Sequence, residues 1–387
     1  MSIQGKPSSR LLIVQPWFSA LGHPAQSLYN TMRTLREVPC IDYLVSEDPQ
    51  FTHHANLHDA LGPGQRLFRF AVEGSDLKKN TRKGLLELLR RRRELRETRS
   101  VLFFDVDLGA VAKWWRWVAP WLNIARLSLL YLLGPEHIKQ HESARRRVTR
   151  LLRRHEVVLC VRTSELEDDW VAAFPSLDRA RLRTLPSLEL PPGRHFAERP
   201  CLDRADLRFG VLGQIRRGKS IELLVPLFER CPSLGTLTVA GSFASPAERE
   251  ALGVLAGFAG FEERYFDDEG LLTLTAAQDY LLVLYDQWDK RMESAVIYLA
   301  MRAGRPVVVY SEGWCERVVR HYGCGITVAR EGIDLGQVLA SLPLPGSTAY
   351  AALLAGVLRF RNDHRDEVLL PQFLDCVGVG AGEPLER

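Results

Sequence analysis

Short apolar runs alternate with segments of helical periodicity along most of the chain. The apolar runs predict strands, because they are four to six residues long and lie between turn-forming residues. In the first half they occupy residues 11–14, 41–45, 101–104 and 156–161, and in the second half 207–212, 237–240, 280–284 and 306–310. Helices are predicted at about 25–36, 221–230 and 294–302. Buried strands separated by helices are typical of βαβ units, so we predict an α/β fold with parallel sheets.

A stretch without periodicity and with four prolines, PSLELPPGRHFAERP at 186–200, separates the two halves. Clustered prolines favour a linker. We therefore expect an N-terminal domain over residues 1–190, a linker at 191–205 and a C-terminal domain over 206–358. Two such halves imply a cleft between them, with ligands bound beyond the carboxyl ends of the strands.

The composition narrows the class of protein. With 387 residues and 46% hydrophobic content, the chain can fill two cores without a metal or disulfide. Its seven cysteines are scattered and form no C-x-x-C pair, which favours reduced thiols in the cytoplasm over a zinc site or a disulfide framework. The apolar run near the N-terminus spans only four residues, too short for a signal peptide.

The formal net charge of +4 conceals an asymmetry between the two halves. Residues 78–99 hold ten basic side chains against three acidic ones, and residues 139–154 hold seven against one. The compensating acids lie elsewhere, for example in EERYFDDE at 262–269. We therefore expect an anionic partner for the first half.

The segment FGVLGQIRRGKSIELL at 209–224 is the richest in candidate chemistry. A strand ends at Gly213, the loop after it carries Arg216, Arg217 and Lys219, and a helix begins near Ser220. Backbone N–H groups, a helix N-terminus and flexible cations around one point suit a diphosphate. The same residues also match G-x-x-x-x-G-K-S, the P-loop template, so a P-loop NTPase is an alternative.

Three successive segments resemble the C-terminal half of GT-B-fold nucleotide-sugar glycosyltransferases, and are most like glycosyltransferase family 4. They are GQIRRGKS at 213–220, VAG at 239–241 and LAMRAGRPVV at 299–308, in the family's order. The N-terminal half agrees more loosely, through its glycine loop after the first strand. The resemblance implies two Rossmann-like domains with parallel sheets facing a central cleft. It also implies that residues 359–387 cross back to the first domain.

The resemblance places a nucleotide-sugar donor in the second half. Gln214 occupies the family's arginine position, so Lys219 with Arg216 or Arg217 would neutralise the diphosphate. Leu299 stands where the family often has a ribose-binding glutamate, which leaves Glu293 to meet the donor sugar or diphosphate. The implied donor-binding residues are Gly22, Gly213, Arg216, Arg217, Lys219, Gly241, Ser242, Glu293, Ser294, Ala295 and Val296.

The first half would then bind the acceptor. His23 and Asp105 follow predicted strands, and either could address the acceptor hydroxyl as a catalytic residue. Asp105 and Asp107 also form a D-x-D string, which resembles the metal-binding motif of the GT-A fold. With a GT-B-like second half, we expect a solvated loop or an acceptor contact there. We expect no metal and no cofactor, since Lys219 and an arginine carry the charge.

A basic and tryptophan-rich stretch covers residues 83–134. It contains KGLLELLRRRRELRE and then AVAKWWRWVAPWLNIARLSLLYLLG, with four of the eight tryptophans. Pro120, Asn123 and Arg126 interrupt it, so it is a poor transmembrane span. Tryptophan and leucine beside basic residues favour a segment lying on an anionic membrane. A core helix flanked by solvated charge is one alternative, and a site for single-stranded nucleic acid is another.

Together these features predict a glycosyltransferase that moves a sugar from a UDP- or GDP-type donor to a glycan or lipid-linked acceptor. We expect it in the cytoplasm, peripheral at the inner face of the membrane, in bacterial envelope or exopolysaccharide synthesis. No nucleic acid partner is expected. The alternative function is a catalytically silent GT-B module that binds nucleotide sugars or a membrane.

Overall fold

The computed structural model describes residues 10–17, 23–47, 57–72, 74, 76–139, 142–190, 206–286 and 290–379. The chain divides into two compact units. Unit 1 contains Met1–Pro191 and Asp366–Arg387, and unit 2 contains Pro192–Arg365. The linker predicted at 191–205 lies outside the described residues.

Unit 1 is built around one parallel sheet. Its strands are β1 Arg10–Gln15, β2 Ile41–Glu47, β3 Arg66–Ala71, β4 Thr98–Phe103, β5 Arg126–Leu130, β6 Val157–Val161 and β7 Leu182–Thr184. Its helices are α1 His23–Thr34, α2 Leu57–Ala60, α3 Leu77–Arg90, α4 Leu108–Val118, α5 Glu136–Lys139, α6 Glu142–Leu152, α7 Ser164–Ala173 and, at the end of the chain, α15 Asp366–Val377. The strand order is β3-β2-β1-β4-β5-β6-β7.

Alternate residues of each strand in unit 1 fill two cores, one on each face of the sheet. Leu12 and Val14 of β1 point to a core shared with α3, α4, α6 and α7. Leu11 and Ile13 point to the opposite core, which α1 and α15 cover. Helix α15 lies against the sheet through Phe373, and the Arg126 guanidinium donates to the Cys376 carbonyl at 2.7 Å. The last helix of the chain is therefore part of the first unit.

Unit 2 repeats the plan with six strands. They are β8 Arg208–Leu212, β9 Thr236–Gly241, β10 Phe261–Glu263, β11 Tyr280–Val283, β12 Val307–Tyr310 and β13 Gly325–Val328. The helices are α8 Ile221–Arg230, α9 Pro246–Ala251, α10 Asp268–Ala276, α11 Ala295–Arg302, α12 Gly313–Tyr322, α13 Leu335–Ala340 and α14 Thr348–Asp363. All strands are parallel, in the order β10-β9-β8-β11-β12-β13.

Both sheets have the same switch in strand order. In unit 1 the switch lies between β1 and β4, and in unit 2 it lies between β8 and β11. When the strands are numbered within each unit, the first six have the order 3-2-1-4-5-6, which is that of dinucleotide-binding folds. Ligands of those folds bind beyond the carboxyl ends of the strands, at the switch. This order confirms the predicted pair of Rossmann-like domains and favours that reading over the P-loop NTPase.

The predicted elements agree best in unit 2, where α8 spans the predicted 221–230. Several strands were not predicted, among them β3, β5 and β13. The largest difference concerns β5, because the sequence predicts that residues 110–134 form one segment lying on a membrane. Leu127, Leu129 and Leu130 are instead fully buried in the sheet. Because β5 is covered on both faces, its sequence lacks the alternation that marks a half-exposed strand.

No helix in the described part of the chain is long and apolar enough to cross a bilayer. The six cysteines in that part are free, five of them buried.

Candidate functional site

The carboxyl ends of β8 and β9 meet through two glycines. The Gly213 N–H donates to the Ala240 carbonyl at 2.9 Å. A Cβ at Gly241 would lie 1.7 Å from the Gly213 carbonyl oxygen, so no other residue fits at 241 without moving the backbone. Gly213 itself has φ +87°, and a Cβ there would meet no atom within 4 Å. The loop therefore turns sharply beside open space, which leaves its backbone accessible to a ligand.

Ser242 holds the same loop through its backbone. Its carbonyl accepts a hydrogen bond from the Ile215 N–H at 2.8 Å, and the Ala244 N–H donates to the Ile215 carbonyl at 2.9 Å. Ile215 is buried and thereby fixes the middle of the loop to the unit 2 core. The four residues from Ile215 to Gly218 are thus positioned between β8 and α8.

Lys219 lies at the start of the helix that follows, and only 6% of its surface is exposed. Its ammonium group donates to the Leu212 carbonyl at 3.0 Å. Burial, assisted by the positive charge of Arg216, lowers the pKa of Lys219 from 10.5 to about 7. A buried cation with a depressed pKa is stabilised by an incoming anion, because the anion restores the electrostatic partner that water no longer supplies.

The two arginines of the loop differ in their partners. The Arg217 guanidinium pairs with Glu248 on α9 at 3.3 Å, and the Arg217 N–H donates to the same carboxylate. The backbone hydrogen bond from Arg217 is the main reason that the pKa of Glu248 falls below its ordinary value. Arg216 acts electrostatically on Glu248 as well, but also on Lys219 and on the hydroxyl of Tyr285. The structure therefore groups Arg216, rather than Arg217, with Lys219.

The loop after β11 is tied to the loop after β8. The Asp286 N–H donates to the Gly218 carbonyl at 3.1 Å. The Tyr285 and Ser294 hydroxyls lie 3.0 Å apart, and so do the Ser220 and Tyr310 hydroxyls. Burial raises the pKa of Tyr285 above its ordinary value, so this hydroxyl stays protonated. These bonds hold the starts of α8 and α11 on either side of the strand switch.

Two helix N-termini therefore share one edge of the sheet. Ser220 and Ser294 precede α8 and α11, and neither side chain caps its helix. Ser220 adopts a left-handed conformation with φ +52°, which is strained for a residue with a Cβ. The first N–H groups of a helix, here including those of Ala295 and Val296, have no acceptor within the helix and carry partial positive charge. With Arg216 and Lys219, they form an anion-binding arrangement.

The residues that follow β11 depart from the expected ribose site. Glu293 lies before α11 and accepts a hydrogen bond from the Tyr298 hydroxyl at 3.2 Å. Leu299 is buried in an apolar cluster with Leu272 of α10 and Ala303. A carboxylate at 299 would be buried against leucine, so packing explains why the position is apolar here.

Some residues of this edge were not predicted from the sequence. Tyr285 and Tyr310 provide the hydroxyls that fix the two helix starts, and Asp286 has a buried Oδ1 without a hydrogen-bond partner among the described residues. Glu312, after β12, pairs with Lys290 and with Arg330. Their common signal in the sequence is their place just after a strand, since YDQWDK and YSEG each follow an apolar run.

In unit 1 the switch between β1 and β4 carries Asp105. It is buried and has φ +54°, a left-handed conformation that aspartate tolerates better than most residues. Asp107 caps α4, where its carboxylate accepts from the Ala110 N–H at 2.6 Å. The two aspartates of the D-x-D string therefore differ in place, since Asp105 lies at the switch point and Asp107 caps a helix. The described residues contain no group of three or more His, Cys, Asp or Glu that could hold a metal ion.

The other candidate residues of unit 1 are His23 and Gly22. His23 begins α1, directly after the loop that follows β1, and its side chain lies outside what the structure describes. Gly22 also lies outside the described residues. A buried carboxylate, Glu189, was not predicted. It accepts hydrogen bonds from Ser27 at 2.5 Å and from Asn30 at 3.1 Å, and so holds α1 in place.

The tryptophan-rich stretch is only partly exposed. Trp115 is 1% exposed and fills the core under α4, whereas Trp117 and Trp121 are 61% and 65% exposed. Trp114 is half-buried beneath the Arg82 guanidinium, which lies 4.5 Å from the ring centre. Of residues 83–134, the strands β4 and β5 are interior to the sheet. Within this stretch, exposed side chains lie on the outer sides of α3 and α4 and at the turn at Trp121.

Comparison with known proteins gives structural neighbours but no relatives by sequence. No protein-family model and no curated protein matches the chain. HepE of Anabaena in complex with UDP is similar over 95% of this chain and 99% of its own, with 14% identity and a TM-score of 0.65. Its complex with UDP-glucose matches equally well.

Two further solved structures extend the comparison. WaaG, a glycosyltransferase involved in lipopolysaccharide biosynthesis, matches 96% of this chain and 100% of its own at 15% identity and a TM-score of 0.58. Sucrose-phosphate synthase of Thermosynechococcus elongatus matches 95% and 98% at 15% identity and a TM-score of 0.64. These neighbours confirm that the fold is GT-B.

Proposed function

From this GT-B fold and the edge at β8 and β11, we propose that the chain is a glycosyltransferase that uses a nucleoside-diphosphate sugar. The observation that carries the proposal is the meeting of two helix N-termini, Arg216 and Lys219 at the strand switch of unit 2. Bond cleavage in a donor of this kind leaves a nucleoside diphosphate, whose developing charge must be stabilised. Structures of HepE with UDP and UDP-glucose support a donor of this class.

In the proposed reaction, Lys219 and Arg216 neutralise the departing diphosphate. Protonated Lys219 supplies charge at the start of α8, and the N–H groups of Ala295 and Val296 supply donors at the start of α11. Glu293 and Ser294 hold the donor sugar or phosphate. Gly213 allows the backbone to approach the phosphates, because it presents no side chain, and Gly241 lets the end of β9 pack against the Gly213 carbonyl.

The acceptor is assigned to unit 1. Asp105 lies at the switch point of its sheet, and His23 begins the helix beside that switch. Either side chain could accept the proton of an acceptor hydroxyl, which is the role of a general base in an inverting transfer. The proposed acceptor is a glycan or a lipid-linked saccharide at a membrane surface, in envelope or exopolysaccharide synthesis. The basic outer side of unit 1 supports the membrane location.

The second candidate is a catalytically silent GT-B module. Gln214 in place of the family's arginine and Leu299 in an apolar cluster both favour it, because each removes a contact to the donor. The two candidates differ in turnover, since a silent module would bind the nucleotide and release no sugar.

A panel of nucleoside diphosphates and their sugars tests the proposal by thermal shift and by chromatography of the products. The glycosyltransferase is expected to be stabilised by one nucleoside diphosphate and to hydrolyse or transfer the matching sugar. Stabilisation without any release of nucleoside diphosphate would support the silent module. If no compound raises the melting temperature and none is turned over, the glycosyltransferase and a silent module that binds nucleotide sugars are both wrong.

A further inference from the structure

A cavity of about 660 Å³ lies between α4 and α6 on the outer side of unit 1. Six cationic side chains line it, namely Lys113, Arg116, Arg146, Arg147, Arg150 and Arg154. Its described lining includes no carboxylate, and the only apolar side chains there are Ala112, Trp115 and Leu151. We call this cavity the α4–α6 groove. It was not predicted, because the sequence stretch assigned to a membrane ended at residue 134.

Helical spacing aligns the cations of α6. Arg146 and Arg150 stand four residues apart on α6, and Arg147 lies beside them on the same side of the helix. Arg154 continues the row two residues beyond the end of the helix. A row of like charges on one helix face destabilises the free protein unless an anion compensates it. The row is therefore a cost to folding that a bound anion would remove.

Few of these charges are compensated within the protein. Glu142 pairs with Arg146 and Glu156 with Arg154, at opposite ends of the row. In the described part of the chain, no carboxylate pairs with Lys113, Arg116, Arg147 or Arg150. The Arg147 Nε is buried and has no hydrogen-bond partner there. Buried guanidinium N–H groups ordinarily have acceptors, and the oxygens of a phosphate would supply them.

The surroundings of the groove are apolar and aromatic. Trp117 and Trp121 are exposed at the end of α4, and the Arg116 guanidinium lies 4.8 Å from the Trp117 ring centre. Leu86 is exposed on α3, which packs against α4 on the same side of the sheet. A layer of phosphates next to an apolar layer would satisfy both sets of side chains. A nucleic acid would satisfy the arginines and stack on the tryptophans but would leave Leu86 in water.

We propose that the α4–α6 groove binds the phosphate groups of anionic phospholipids, while Trp117 and Trp121 enter the interfacial layer of the bilayer. The inference rests on the membrane location in the proposed function and makes it specific. It assigns the membrane contact to a defined groove that includes α6, rather than to diffuse attraction along residues 83–134.

Two double variants that each lose two positive charges distinguish binding in the groove from diffuse attraction to the membrane. Lys113→Gln with Arg150→Gln removes two cations from the groove. Lys78→Gln with Arg93→Gln removes two exposed cations from α3 and the turn after it. The full-length proteins are sedimented with vesicles of phosphatidylcholine, with or without phosphatidylglycerol. Since a surface cation contributes about fivefold to partitioning, we expect the groove pair to lose about 25-fold and the control pair less than about threefold.

Several outcomes would overturn the inference. They are equal losses for the two pairs, equal binding to phosphatidylcholine alone, and binding to single-stranded RNA in place of the anionic vesicles. Tryptophan fluorescence gives a second readout, in which a blue shift with anionic vesicles is expected for the wild type and not for the groove pair. Titration of the wild type and of both pairs with UDP and with GDP keeps this test apart from the proposed function. If neither nucleotide binds the wild type, the proposed function is contradicted. If the groove pair binds the nucleotide as the wild type does but no longer binds the vesicles, the groove is supported.

Discussion

Units 1 and 2 share a strand order and differ in what they present at its switch. In unit 2 the edge between β8 and β11 carries glycines, two helix N-termini and two cations, an arrangement that suits an anion. In unit 1 the corresponding edge carries Asp105 in a left-handed conformation, with the buried Glu189 holding the neighbouring helix. The two units thus share a topology and differ in the charge at its switch point. The strands determine where the edge lies, and the loops determine which charged groups it carries.

This contrast predicts different consequences for changes on the two edges. Changes in unit 2 should weaken the binding of a nucleoside diphosphate, and changes in unit 1 should slow the transfer and leave that binding intact. UDP stands for whichever nucleoside diphosphate the wild type binds.

Lys219→Met should have the largest effect. We expect donor turnover to fall about 10³-fold, because a charge that stabilises the departing diphosphate is lost from a buried position. Lys83→Met is the matched control, since the Lys83 ammonium also donates to a backbone carbonyl, that of Ala71 at 3.3 Å. Turnover is measured by release of UDP, and circular dichroism verifies the fold. Wild-type turnover in a folded Lys219→Met variant would contradict a role for Lys219 in the donor site.

Asp105→Asn and His23→Gln test which residue of unit 1 is the general base. The variant that removes a general base should lower kcat about 10²-fold and leave the Kd for UDP unchanged. Asp107→Asn is the control for Asp105, because asparagine also caps helices and the two aspartates are two residues apart. Steady-state kinetics and calorimetric titration give the two quantities. An increased Kd for UDP in Asp105→Asn would contradict the division of labour between the edges.

Arg216→Ala and Arg217→Ala differ by one position and should differ in effect. Loss of a hydrogen-bonded charge at Arg216 should raise the Kd for UDP about 30-fold. Arg217 is held by Glu248, so its loss should change the Kd by less than about threefold. Titration calorimetry with UDP measures both. The reverse ranking would show that Arg217 leaves Glu248 to meet the diphosphate.

The pH dependence of donor binding follows from Lys219. Its pKa of about 7 in the free protein lies below its ordinary value of 10.5, so the group is largely neutral above pH 7. Binding of a diphosphate favours the protonated form and takes up a proton, so the Kd for UDP should rise up to about tenfold per pH unit above 7. Lys219→Met should abolish this slope. A flat profile in the wild type would contradict a buried cation at the site.

The lowered pKa of Lys219 also makes the stability of the fold depend on pH. Between pH 7 and 10.5 the unfolded chain binds more protons at Lys219 than the folded chain does. The contribution of Lys219 to stability therefore becomes less unfavourable as the pH rises through this range. Chemical denaturation should show Lys219→Met stabilised relative to the wild type at pH 7 and less so at pH 10. An equal difference at both pH values would contradict the lowered pKa.

Much of unit 2 could be predicted because its chemistry is local in the sequence. Gly213, Lys219 and the start of α8 lie within eight residues, and the strand before them is a clear apolar run. The choice between Arg216 and Arg217 could not be predicted, because it depends on Glu248, which lies 31 residues farther along the chain. Tyr310 and Ser220 are 90 residues apart, so their contact also required the fold.

Unit 1 was less predictable for two reasons. Strand β5 follows a tryptophan-rich helix after a short turn, and without alternation its apolar residues read as part of the same stretch. The charge asymmetry was visible in the sequence, but its arrangement was not. Only the packing of α4 against α6 brings Lys113 and Arg150 to one groove.

Calorimetric titration of the full-length chain with UDP and GDP tests the central claim most directly. One of the two should bind saturably to the wild type and to Asp105→Asn with the same Kd, and Lys219→Met should lose that binding. The account is contradicted if neither nucleotide binds the wild type, or if a folded Lys219→Met variant binds as tightly as the wild type does.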